Sequence, residues 1–512
     1  MSEPSTTPSE QGTHGAVAKI KTRSIFSYML GDFGCNLAFS LGTTWLLFYY
    51  TDVAGISAAA VGTMFFVVRL ADAFFDLLAG RLVDSTMTRW GKFRPFILFF
   101  SVPLLFLSFL TFHVPDTLKD QAFSGNQGPA LLYAYLTYTV LGLLYSLVNI
   151  PYGSLASAMT QSVNERAKLV SWRMWGSAFA GVFLTYLIAP RISTVQKAIT
   201  EAKKVGDTAK LAELQDQMQT IFTQTTLGFV VLGGLCFLMV FFNCKEQVIR
   251  TEAKTTIRDT IITLKVNKPL QILCLSSLFY LTGVYAVGPA TAYYARYILG
   301  DISWTAPITL VNAGIGLLVT PFIPFVIAKI GKKNLFQWCG VFTVVGGIAL
   351  FFSPAGAATL ALIFLAIKGI GASLINVAMF GLEADTVEYG EWKNGTRTEG
   401  ATYAIYSFTR KVTQSFGGLA GAWLLAIGGY VAGAEVQPES ALVSIRAAIG
   451  LVPAVVAIVA MLIFWKYPLT DNFFREIRNE TESRKLKSDH LVLADGQAVD
   501  PAEVDPKDLN QS

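Results

Sequence analysis

Apolar residues along this chain do not alternate with polar ones. They come in long blocks near residues 25–51, 57–83, 95–113, 130–158, 170–192 and 223–243, and again near 269–298, 304–328, 335–353, 357–383, 401–428 and 441–466. A helix needs about 20 apolar residues to cross the hydrocarbon core of a bilayer, since each residue advances it by about 1.5 Å. Each block reaches or approaches that length, and tilt accommodates the longer ones. The pattern predicts an all-α membrane protein with twelve transmembrane helices in two six-helix bundles. The expected divisions are a tail 1–23, an N-terminal bundle 24–243, a cytoplasmic linker 244–268, a C-terminal bundle 269–467 and a charged, disordered tail 468–512. The connection 193–222 is longer than the others, and TEAKKVGDTAKLAELQDQMQTIF reads as an amphipathic surface helix.

Composition agrees with a membrane chain. It is 53% hydrophobic and 15% charged, where a soluble domain carries about a quarter charged residues. A net charge of +5 would suggest nucleic acid in a soluble chain. Here the basic residues gather in one set of short connections: Lys19, Lys21 and Arg23; Arg89, Lys92 and Arg94; Arg166 and Lys168; segment 244–268; Lys329, Lys332 and Lys333; Lys393 and Arg397. The positive-inside rule places that set and both termini in the cytoplasm, and no nucleic-acid partner is implied. Residues 1–18 lack an apolar centre, so no cleavable signal peptide is expected and the first block serves as the insertion signal. The five cysteines show neither metal nor disulfide spacing. His14, His113 and His490 lie in tails or at a block end, with no nucleophile–base arrangement. Neither an enzyme nor a cofactor is expected.

Chemistry concentrates in VRLADAFFDLLAGRLVDSTMTRWGKFRP, residues 68–95. Asp72 and Asp76 stand four apart, on one face of a helix. Carboxylates in a membrane helix are costly and point to an ion pathway. They could hold sodium with neighbouring oxygens, share a proton, or simply pair with Arg69 for assembly. Lys411 lies too deep in the eleventh block to reach the surface and is expected to face these acids from the other bundle, while Arg410 points to another face. Asp84, Arg89, Lys92 and Arg94 end one block, and Asp385, Glu388 and Glu391 end another. Opposite signs at one membrane face predict a cytoplasmic gate of salt bridges between bundles; the alternative is that these charges face water. Trp172 and Trp175 flank Arg173 and suit either sugar stacking or a membrane interface.

Four segments carry a resemblance: YYTDVAG (49–55), the stretch ending in RWGKFRP, YSLVNIPYGSL (145–155), and EADTVEYGEWKNGTRTEG (383–400) with TRK (409–411). In this order they resemble the glycoside–pentoside–hexuronide:cation symporters of the major facilitator superfamily, over about residues 24–475. GDFGCNLAFS, VNIPYGSLASAMTQ, LEADTVEYGE and FTRK are most similar to its glucuronide-carrying branch. The resemblance implies the major facilitator fold in a bacterial inner membrane. It also implies import of a glycoside, a glucuronide favoured, coupled to H+ or Na+ by alternating access, by a monomer among membrane lipids. It places the cation at Asp72 and Asp76, with a hydroxyl from Ser146. It lines a sugar site with Asn36, Tyr145, Asn149, Tyr152 and Arg173, joined by Asn376 and Ser407 from the second bundle. In the melibiose branch the positions matching Asn36 and Asn149 are carboxylates. Their neutrality here suits an anionic sugar whose carboxylate meets Arg173 and Lys411. The alternatives are that the two asparagines only join helices and that Arg173 pairs with an acid. Rival activities are a symporter for pentosides, xylosides or neutral glycosides, and a lipid facilitator or membrane sensor on the same scaffold.

Overall fold

The computed structural model describes residues 20–160, 163–246, 257–395, 399–487, 491–492 and 498–499. The N-terminal tail, the linker residues 247–256, Arg397 and most of the last 25 residues, all named in the sequence expectations, lie outside these. Among the described residues twelve long helices follow in order: α1 (Thr22–Phe48), α2 (Ala58–Ser85), α3 (Arg94–Thr111), α4 (Gly128–Met159), α5 (Val163–Val205), α6 (Thr208–Asn243), α7 (Lys268–Tyr293), α8 (Thr305–Val319), α9 (Lys332–Phe351), α10 (Ala358–Asn394), α11 (Glu399–Ile427) and α12 (Val452–Trp465). A short helix Glu439–Arg446 and a π turn Ala447–Leu451 lead into α12.

In the first half α1 packs on α5 and α6, α2 on α4, and α3 on α4 and α6; in the second, α7 packs on α11 and α12, and α9 on α10 and α12. The halves meet along α2–α11, α5–α8 and α1–α7. Among the described residues ten helices are long and apolar enough to cross a membrane. The two that fall short are α1 and α11, both at the junction of the halves. They carry the polar residues Asp32, Asn36, Arg410 and Lys411. Close contact of α11 with α7 requires glycine. A Cβ on Gly421 would sit 2.8 Å from the Ala286 carbonyl oxygen, and Gly417 similarly abuts Tyr285.

Three features differ from the sequence expectations or add to them. Residues 193–222 form no separate surface helix. Instead α5 and α6 run on as a hairpin that turns at Gly206, whose φ of 74° is left-handed. The 3.6-residue spacing of Val195, Ala202, Leu214 and Met218 supplies a buried stripe along both arms. The C-terminal tail begins with a helix, Asp471–Lys487, where charge predicts disorder. Phe473 packs against Trp392 of α10 and Ile477 is buried, so one apolar face is enough to dock it. Finally, α1 and α7 end alike. A π turn Tyr49–Val53 closes α1 and a π turn Tyr294–Ile298 closes α7, each followed by a left-handed glycine, Gly55 (φ 71°) or Gly300 (φ 89°).

Candidate functional site

Asp76, on α2, is the meeting point of three helices. Its carboxylate accepts a hydrogen bond of 2.6 Å from the Ser146 hydroxyl on α4, and it pairs with the Lys411 ammonium on α11. The same ammonium donates to the backbone carbonyl of Asp72 at 3.2 Å. Lys411 therefore bridges the two halves at one turn of α2. Asp72 does not share this lysine through its carboxylate. Its side chain is buried, 3.6 Å from Arg69, with Oδ1 lacking a partner among the described residues. Gly142 of α4 backs it: a Cβ there would lie 2.9 Å from Asp72 Cγ. Arg69 in turn lies over the rings of Phe39 and Tyr138, at 5.1 and 5.6 Å. The two acids thus differ: Asp76 is engaged across the halves, and Asp72 is held within one. Asp72 Oδ1, the Asp76 oxygens and the Ser146 hydroxyl are the hard-oxygen donors from which a small cation site could be made.

Sequence reasoning passed over Asp32. Its carboxylate, 4% exposed, accepts from Arg173 Nε at 2.7 Å and from Asn36 Nδ2 at 3.0 Å. Arg173 is therefore neutralised inside its own bundle, and Asn36 orients the acid that does it. Asp32 stands one turn before Asn36, so a carboxylate is present beside that asparagine. The signal was present in GDFGCN, a lone carboxylate in an apolar block, the same kind of signal that singled out Asp72. Tyr152 is fully buried; its hydroxyl donates to the Tyr28 carbonyl, and Tyr28 returns the bond at 3.2 Å, with the rings stacked at 4.7 Å. Its ring, 5.1 Å below the Arg173 guanidinium, is a platform rather than a hydroxyl donor for ligand. Tyr145 stacks on Phe39 at 5.5 Å, and Asn149 is half-buried one turn further along α4. In the second half Asn376 accepts from Arg410 at 3.1 Å, and Ser407 is half-buried on α11. Trp172 and Trp175 are exposed on α5.

Three cavities run in a row between these groups. The first is lined by Asp72, Arg69, Tyr138 and Tyr145. Arg69 and Tyr138 also line the second, which reaches Tyr285 and Gln414. Tyr285 opens into the third, a space of about 410 Å³ that includes Thr44, Asn312, Lys368, Ser373 and Asn376. Ligand pockets occupy roughly 300–1,000 Å³, so the third is large enough for a sugar. Lys368, in the middle of the apolar block of α10, is a second group that sequence reasoning missed.

Of the two charged clusters expected to form a gate, the 92–94 turn and Asp385 are each held by partners close by in their own part of the chain. Glu246 accepts from the backbone N–H groups of Lys92 (2.8 Å), Phe93 (2.8 Å) and Arg94 (3.0 Å). Arg94 Nε donates to the Phe241 carbonyl at 2.9 Å, and Arg89 lies over the Trp90 ring. Asp385 is taken by Lys332 of its own half at 2.7 Å; Glu388 and Glu391 lie further along α10, and Glu391 is buried. The Asp84 side chain lies outside the description. At the opposite end the halves are joined directly. Asp52 accepts from Arg296 at 3.0 Å and from the Tyr430 hydroxyl at 2.8 Å, while Asp301 accepts from Ser193 at 2.6 Å and pairs with Lys197 at 2.6 Å.

Comparison with known proteins adds a context. Residues 27–471 match the family described as MFS/sugar transport protein. The chain is 40% identical to a glucuronide carrier protein homolog of Escherichia coli (strain K12), over 93% of this chain and 98% of that protein. It is 33% identical to an isoprimeverose transporter of Lactiplantibacillus pentosus, over 80% of each. It is also 30% identical to a putative sulfoquinovose importer of Escherichia coli (strain K12), over 92% of this chain and 95% of that protein. Among solved structures, a D-xylose–proton symporter superposes with a TM-score of 0.56 at 15% identity, covering 87% of this chain and 98% of the other.

Proposed function

The chain belongs to the MFS/sugar transport family, and from that footing we propose that this multi-pass sugar symporter imports a glucuronide together with a proton or a sodium ion. The observation that carries the coupling is the Asp76 cluster. A carboxylate on α2 is neutralised by a lysine on α11, and these two helices form a contact between the halves. A proton or a sodium ion on Asp76 takes over the work of Lys411 and releases it. The α2–α11 contact then loses its charge pair, and the neutralised acid crosses the apolar barrier at lower cost. Ser146 keeps an oxygen on the cation throughout, and Asp72 offers a second carboxylate one turn away.

The basic connections orient the chain with that end in the cytoplasm. The sealed Asp52–Arg296 end then faces outward, and the third cavity is arranged for release inward. Binding of sugar must raise cation affinity as much as the cation raises sugar affinity. The identity with the glucuronide carrier homolog supports an anionic sugar. A second reading, a neutral pentoside or glycoside, is favoured by one observation: Asp32 restores a carboxylate beside Asn36 and satisfies Arg173. Competition of uptake by glucuronides against xylosides separates the two.

The test of coupling is Asp76→Asn in proteoliposomes. Asn keeps the size of the side chain and removes its charge. Exchange of sugar down its own gradient is expected to persist, while uphill accumulation driven by a proton or sodium gradient is lost. Unimpaired accumulation by this variant would refute the coupling role.

A further inference from the structure

Several buried or half-buried cations among the described residues are matched to acids, and Lys368 is the most deeply buried of those that are not. Arg173 has Asp32, Arg69 has Asp72, Lys411 has Asp76, Arg296 has Asp52 and Lys332 has Asp385. Lys368 is 6% exposed, and its ammonium bonds only a backbone carbonyl, that of Ile449, at 2.9 Å. That carbonyl belongs to the π turn Ala447–Leu451, where the regular α-helical hydrogen-bond ladder is interrupted. An ammonium has three donors, and this bond uses one. No Asp or Glu lines the cavity of about 410 Å³ that Lys368 borders. Its polar lining is made of Asn312, Ser373, Asn376 and threonines, and Asn376 is itself held by the cationic Arg410. Arg410 also lacks a carboxylate among the described residues, but it is spent on Asn376 and on the face of Phe380.

A buried charge without a counter-charge is strongly unfavourable. A space beside it that is large, carries several hydroxyl and amide groups among apolar walls, and is free of acids is a site that selects for anions. The asparagine, serine and threonine groups offer both donors and acceptors, as sugar hydroxyls require. We propose that Lys368 receives the anionic group of the transported sugar, a carboxylate or a sulfonate, with the sugar ring lying among Asn312, Ser373 and Asn376. This rests on the sugar-symporter reading and moves charge recognition from Arg173 to the second bundle. In this arrangement the first bundle binds the cation and the second reads the sugar's charge.

The experiment uses the full chain in proteoliposomes, with Lys368→Met as the principal variant. Methionine matches the volume of the side chain, and replacing a buried charge by an apolar group is neutral or stabilising for the fold. Lys368→Gln is the second variant. Three probes are compared: methyl β-D-glucuronide, a methyl sulfoquinovoside and methyl β-D-glucoside. The expected result for K368M is a loss of about 10- to 100-fold in affinity for the wild type's anionic substrate, the size of one charge-assisted hydrogen bond. Glucoside affinity is expected to change less than about threefold, and K368Q to behave likewise. Equal losses for charged and neutral probes, or unchanged binding of the charged ones, overturn the proposal. A wild-type protein that carries glucoside but neither anionic probe refutes the anionic-substrate reading, and the inference falls with it. A wild type that carries an anionic probe, paired with K368M that carries it as well, refutes the inference alone. The wild-type preference between glucuronide and sulfoquinovoside tells carboxylate from sulfonate.

Discussion

The two ends of the molecule use their charges in opposite ways. At the end that carries Asp52, partners come from different halves: Asp52 with Arg296 and Tyr430, and Asp301 with Ser193 and Lys197. At the basic end the described contacts of Glu246, under the 92–94 turn, and of Lys332, on Asp385, stay local. Crosslinks at one end and local contacts at the other define a closed end and an end where the halves are free to part. Charge density alone does not make a gate; what matters is whether the nearest partner lies across the divide.

The largest expected effect comes from Asp52→Ala. It strands Arg296, a mostly buried cation, at a cost of about 3–5 kcal/mol to the closed end. A cysteine introduced at Thr44, in the third cavity, should then be labelled faster from that side. Unchanged labelling would break the comparison between the ends. A middle effect is expected for Glu246→Gln, which weakens three hydrogen bonds to one carboxylate inside the first half. Thermal stability should fall by about 1–3 kcal/mol with no change in Thr44→Cys labelling, and a change in labelling would show that this turn also spans the halves. The smallest concerns Asp301. Partial burial pushes its carboxyl up, but the Lys197 ammonium, the Ser193 hydroxyl and the Ser303 backbone N–H outweigh that and hold it well below the usual carboxylate range. Its contribution is therefore complete above about pH 4, the ordinary carboxylate value, and is lost as pH falls below it. The Lys197 side of the ion pair is exposed, so Asp301→Asn should cost about 1 kcal/mol. It should also remove the acid-induced rise in Thr44→Cys labelling, and persistence of that rise would assign it to another group.

Much of the architecture was legible because lipid enforces a length on every apolar block. The hairpin at 193–222 was not, because a stripe that continues past the bilayer looks like a separate amphipathic helix until its phase is traced back into α5 and α6. Asp72, Asp76 and Lys411 stood out as charges in apolar blocks, and the structure brings Asp76, Ser146 and Lys411 into contact. Asp32 and Lys368 gave the same signal and were passed over. Asp32 sits near the start of its block, and Lys368 is a lone lysine with no acid near it in the sequence. Their meaning depends on what packs against them: Arg173 lies 141 residues from Asp32, and Ile449 lies 81 residues from Lys368. The gate expectation turns on a related point. Opposite signs at the same depth say nothing about the closer partners, Glu246 and Lys332, that already hold each cluster.

The repeated π turn after α1 and α7 also bears on kinship between the halves. The turns are the same device, yet one carries the acid Asp52 and the other the base Arg296, one register position apart. Two copies of the first half meeting here would set carboxylate against carboxylate, and two copies of the second would set guanidinium against guanidinium. The charge pair at this turn therefore forms only between unlike halves. A chain built from two look-alike units thereby carries, in one acid and one base, a mark that tells the units apart.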